Sequence, residues 1–117
     1  MPPSPDPKPR TNLFADLPSA ASGEVFTPLL ARHGCRVERI VSQGQVTPPD
    51  QPYRQDWDEW VLLLAGAARV EVEGTETALE VGDHLLIPAG ARHRVTFTDP
   101  LRPTIWLALH FDGAPNV

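Results

Sequence analysis

The chain has one cysteine, Cys35, and one lysine, Lys8. A single thiol cannot close an intramolecular disulfide, so the fold is no disulfide scaffold and a reducing cytoplasm is the expected compartment. Long hydrophobic runs are missing too. The longest, Trp60 to Ala68, falls well short of the roughly 20 residues that span a bilayer, and the N-terminus carries no signal-peptide apolar core. No membrane partner is expected. Positive charge is also scarce: the net charge is −5 and the pI is near 5.2. With Arg and Asp/Glu interspersed there is no basic stripe for phosphates, which excludes nucleic acid as a partner. The sequence holds no Gly-rich phosphate loop, no Gly-x-Ser-x-Gly elbow and no Cys-x-x-Cys pair. Cys35 has no neighbouring base or recognisable helix N-terminus and reads as a structural thiol.

Proline is abundant and concentrated at the start. Pro2-Pro3-Ser4-Pro5-Asp6-Pro7-Lys8-Pro9 cannot donate regular backbone hydrogen bonds and favours extended conformers. The expected organisation is a disordered Pro-rich tail over residues 1–11 and one domain over 12–117, a length that accommodates a single core. Asn12 to Pro18 is expected to form one helical turn, with Leu13, Phe14 and Leu17 as apolar anchors and Pro18 ending it.

Beyond that, short strand-like runs follow one another between Gly, Pro, Asp or Asn. They are Glu24–Ala31, Arg36–Val46, Glu59–Ala65, Arg69–Glu73, Thr77–Val81, His84–Pro88, His93–Thr98 and Thr104–Phe111. Regular short strands at this spacing imply an all-β sandwich or barrel. Arg69-Val70-Glu71-Val72-Glu73 alternates, so one of its faces is wet, and Gly74 offers the turn into the next strand. The run from Trp60 to Ala65 is apolar on both faces, which makes it a central strand or one that lies under a subunit interface.

Two strands carry inward polar groups. Parity puts Glu59 with Val61, Leu63 and Ala65, and it puts His93 with Val95 and Phe97. An inward carboxylate is costly unless paired, protonated or bound to a metal, and a buried imidazole needs a partner or a ligand. The bland alternative leaves Glu59 as a wetted residue at the barrel mouth. His110, on the last strand with Trp106 and Ala108, faces either the same interior or the rim. His84 and His33 read as surface or loop residues, and Asp56 and Asp58 as solvated charges. Trp57, Trp60 and Trp106 line either a core, a pocket or an interface.

Glu59, six residues, then Gly66 resembles the end of the first cupin motif. Gly82, five residues, Pro88, one residue, Gly90, two residues, His93 resembles the second. The resemblance covers about Arg36 to Phe111 and is to small single-domain cupins of the type-2, mannose-6-phosphate-isomerase-like kind, as found in bacteria. It implies an antiparallel jelly-roll β-barrel, often dimeric, and a divalent metal held by two histidines and a glutamate of the first motif and a histidine of the second. This chain departs from that set. Where His-x-His should stand it has Pro52-Tyr53-Arg54-Gln55. Glu59 and His93 are carried over, Gln55 is the nearest substitute oxygen donor, and His110 is a candidate third ligand. Arg54, placed inside instead, would forbid a metal by its charge.

Three functions follow as expectations. The first is a small-molecule-binding cupin with a degenerate or atypical divalent-metal site around Glu59 and His93. The second is an isomerase, cyclase or dioxygenase using Glu59, His93, Gln55 and His110 around zinc, iron, manganese or nickel. The third is a structural dimerisation domain. A homodimer is expected from edge strands that need cover, and fold alone does not choose among the three.

Overall fold

A computed structural model describes residues 11–113, so nearly all of the expected tail lies outside the described residues. Eight strands follow in order: β1 Val25–Arg32, β2 Cys35–Ser42, β3 Asp58–Ala65, β4 Ala68–Val72, β5 Thr75–Leu79, β6 His84–Ile87, β7 His93–Thr98 and β8 Thr104–Phe111. All eight match runs read from the sequence. The second is shorter than expected, ending at Ser42 rather than Val46, and the fifth begins two residues earlier. Among the described residues no helix is long and apolar enough to cross a membrane.

The strands form two antiparallel sheets, one in the order β1-β2-β8-β3-β6 and one in the order β5-β4-β7. This is the all-β, antiparallel jelly-roll barrel that the motif resemblance implies. β3 is internal, hydrogen-bonded to β8 on one side and β6 on the other, the central position read from its apolar run. Its inward residues Val61 and Leu63 join Ala68, Val70, Leu79, Ile87, Trp106 and Ala108 in the core between the sheets.

Turn chemistry sets the hairpins. Glu73 and Gly74 both have positive φ, 49° and 82°, the geometry of a type I′ turn joining β4 to β5. Gly66, with φ 84°, closes the first motif. A side chain there would lie 2.7 Å from the Cα of Thr104, so only glycine lets β3 turn so close to β8.

Two expectations need correction. Asn12 to Pro18 is a turn, not a helical anchor: Ala15 N donates to Asn12 O and Phe14 N to Asn12 Oδ1. Phe14 and Leu17 are exposed. What holds this segment is polar, because Arg39 Nη1 on β2 donates to the carbonyls of Leu13 and Ala15. Phe97 does not share the inward face of His93 and Val95. The β4–β7 register slips between Arg69 and Val70, a bulge that reverses the alternation. Phe97 turns outward under the Arg69 guanidinium, 5.6 Å from its ring centroid, and Thr98 is buried in its place.

Candidate functional site

Strand register assembles the site. On the inner face of the larger sheet, Arg36 pairs with His110, His110 with Glu59, and Glu59 with Ile87. The next inward row runs Glu38, Ala108, Val61, Leu85. The smaller sheet closes over them with His93, Val95 and Val70.

The connection from β2 to β3 adds a ninth, irregular edge. Tyr53 exchanges two backbone hydrogen bonds with His93, and Gly90 N in the second-motif turn donates to Gln55 O. Asp58 Oδ1 accepts from Ala89 N and fixes the same turn. Tyr53 and Gln55 are thereby carried to the cavity, and the Tyr53 ring stacks on His93 with centroids 5.7 Å apart.

The resulting cavity holds about 140 Å³ and is lined by both apolar and polar side chains. Ile40, Val61, Val70, Ile87, Val95 and Trp106 form its apolar walls. Phe26 and Tyr53 also line it and are about half exposed, 51% and 50%, which places them at the mouth. Three carboxylates, Glu24, Glu38 and Glu59, face the same space with His93 and His110.

The hydrogen bonds assign roles. Gln55 Nε2 donates to Glu59 Oε1 at 2.7 Å. Trp57 Nε1 donates to His110 Nδ1 at 3.0 Å, so the His110 proton sits on Nε2, which donates to Glu38 Oε1 at 2.8 Å. Trp57 is itself held by the Arg36 guanidinium, 5.7 Å from its ring centroid, and Arg36 pairs with Asp112. That pair keeps the Asp112 carboxyl below its ordinary range. Trp106 Nε1 donates to Ser42 Oγ, and Ser42 Oγ donates to Glu24 Oε2. His93 Nδ1 faces the Ala91 carbonyl at 3.2 Å. In the neutral ring this leaves Nε2 without a proton, 3.9 Å from Glu59 Oε1 and beyond hydrogen-bonding range. Glu59 is 7% exposed and His93 8%. The Tyr53 phenol is pushed up, first by burial and then by the charges of Glu24 and Glu59.

Glu59, His93, Gln55 and His110 all line this one cavity. As arranged they do not fit a transition-metal site. Both nitrogens of His110 are engaged, Gln55 turns its amide nitrogen toward Glu59, and of these four residues only Glu59 and His93 keep a free strong donor, against the three or more that zinc, iron, manganese or nickel sites use. Among the described residues no group of three or more His, Cys, Asp or Glu is arranged to hold a metal ion.

Arg54, His84, His33, Asp56 and Asp58 are exposed, so Arg54 does not enter the barrel. Glu24, Glu38 and Tyr53 are site residues the sequence did not reveal, while Trp57, expected in a core, a pocket or an interface, supports the site by bonding His110. On β2, Glu38 and Ile40 line the cavity, while Arg39 on the opposite face bonds the N-terminal turn.

The comparisons with known proteins agree with this architecture. The Cupin domain family matches residues 38–110. No curated protein matches the chain. A candidate mannose-6-phosphate isomerase from Ralstonia eutropha JMP134 is 48% identical, with a TM-score of 0.84, over 92% of this chain and 100% of that one. A cupin superfamily protein from Desulfitobacterium hafniense DCB-2 shares the fold at 16% identity and TM-score 0.72, over 90% of this chain and 93% of its own. An RmlC-like cupin from Shewanella frigidimarina NCIMB 400 does so at 18% and 0.65, over 75% of each chain. By motif, barrel and these matches together, the chain belongs to the cupin family.

Proposed function

We propose that this cupin, as one unit over residues 12–117, binds a small molecule in the cavity between Glu59 and His93. The observation that carries this reading is His93, a residue only 8% exposed, whose Nε2 opens on the cavity without a hydrogen-bond partner in the protein. A polar atom that faces a cavity and is used by no protein group is available to orient a ligand through a hydrogen bond. The apolar walls supply the contact area that small-molecule sites use, and the polar groups supply orientation.

The metal-dependent isomerase, cyclase or dioxygenase reading requires His110 to release Trp57 or Glu38 and is less well supported. A sugar phosphate, as the name of the Ralstonia relative would imply, is also disfavoured, because the residues lining the cavity include three glutamates and no Lys or Arg.

The test is to purify the protein under native conditions, denature it and analyse the released small molecules by mass spectrometry. A near-stoichiometric compound that is absent from Glu59→Gln and His93→Ala protein supports the reading. An equal yield from all three proteins overturns it.

A homodimer is part of the proposal. On the outer face of the larger sheet, Leu30, Val37, Leu109, Trp60 and Leu86 pair in one row across all five strands. Leu30 and Leu86 at its ends are 46% and 52% exposed. A two-fold axis along β8 would set this row against itself, with Leu30 at one edge facing Leu86 of the second copy at the other. Such a self-complementary patch is what an isologous interface needs.

A further inference from the structure

Resting on the reading of this cavity as a ligand site, we infer that its ligand is an organic cation bearing N–H donors, of the primary-ammonium class. The cavity is acceptor-rich. Gln55 engages only Oε1 of Glu59, His110 only Oε1 of Glu38, and Ser42 only Oε2 of Glu24. Each carboxylate thus keeps its second oxygen, and His93 adds the bare Nε2.

The carboxylates alone would be only an acidic cluster. The independent observation is His93, 8% exposed, lining the cavity, with Nδ1 turned to the Ala91 carbonyl and Nε2 without a partner. An ammonium group carries three donors and no acceptor, and so matches Glu59, Glu38 and His93 without leaving a lone pair facing a lone pair. A hydroxyl offers one donor, and a carboxylate or phosphate offers none. Charge acts in the same direction, since three carboxylates in a partly desolvated space attract a cation and repel an anion. Ile40, Val61, Ile87 and Val95 then receive the alkyl body, and the Tyr53 and Trp106 rings add faces that favour a nearby cation.

The experiment is an NMR titration of the full chain with three probes of similar size: n-butylammonium, 1-pentanol and butyrate. Shifts are read at His93, His110 and the backbone of β2, β3, β7 and β8. The expected result is saturable binding of butylammonium at these residues, at least tenfold tighter than pentanol, with no saturation by butyrate. Glu59→Gln and Glu38→Gln, both checked for a native β-sheet circular-dichroism spectrum, are each expected to weaken butylammonium at least fivefold. Pentanol or butyrate binding at these residues as tightly as butylammonium would overturn the charge assignment and leave the site reading standing. No shift at these residues with any probe would overturn both. Manganese(II) alone, broadening the same signals and displacing butylammonium at lower concentration, would assign the carboxylates to a metal and overturn the inference.

Discussion

The Nε2 atom of His93 stands 3.9 Å from Oε1 of Glu59, too far for a hydrogen bond, although both residues are more than nine-tenths buried. The acid is satisfied by Gln55 instead. The imidazole keeps a lone pair that the protein itself does not use.

Glu59 is 7% exposed and shares its cavity with Glu24 and Glu38, and a buried carboxylate is costly unless it is fully paired. Glu59→Gln keeps an oxygen for Gln55 to donate to. It is expected to raise stability by about 1 kcal/mol, or ~4 °C in Tm. A lowered Tm in a thermal unfolding scan would show that the charge is better compensated than Gln55 alone allows.

Trp57 holds the His110 tautomer by donating to Nδ1. Trp57→Phe is expected to cost about 1 kcal/mol. It should also let the proton redistribute between the two nitrogens, visible in the ¹⁵N chemical shifts of the ring. Unchanged ¹⁵N shifts would mean that Glu38 alone fixes the tautomer.

The Tyr53 phenol titrates above its ordinary value of 10.0, first through burial and then through Glu24 and Glu59. The folded state therefore holds the proton more tightly than the unfolded chain. This contribution to stability is complete below pH 10 and declines as pH rises through the raised value. In an ultraviolet titration, Glu59→Gln should lower the phenolate midpoint only part of the way, because burial is the larger cause. A full return to the ordinary value would reverse that order.

Much of the site could be read from the sequence because the two motifs place their residues through turns. Gly66 and Gly90 adopt φ of 84° and 80°, and those turns fix the parity of Glu59 and His93. Register did the rest for His110, which pairs with Glu59. Glu38 was hidden for a physical reason: on β2 the apolar face is the outer one, covered in part by a turn that Arg39 anchors through two carbonyls. Phe97 was misassigned because a bulge leaves no mark in an alternating pattern. Tyr53 and Gln55 reach the cavity through backbone pairing of a loop, which side-chain patterning does not encode.

Gly66→Ala would put a methyl group at a φ of 84° and 2.7 Å from the Thr104 Cα. The expected loss is about 3 kcal/mol, read by denaturant unfolding. A change below about 0.5 kcal/mol, the scale of an ordinary surface substitution, would mean that the β3–β4 turn relaxes freely.

Leu30→Glu and Leu86→Glu place charges at the two ends of the outer apolar row. Each should leave the β-sheet spectrum intact and shift sedimentation from dimer to monomer. A wild-type chain that sediments as a monomer at micromolar concentration would remove the proposed interface.

The most direct measurement is a crystal structure of the protein soaked with a small amine. Density for its nitrogen within about 3 Å of both His93 Nε2 and a Glu59 carboxylate oxygen, with Gln55 and Trp57 still bonded as described, is the predicted result. An empty cavity in which the imidazole has closed onto Glu59, with density only elsewhere on the barrel, would contradict the account.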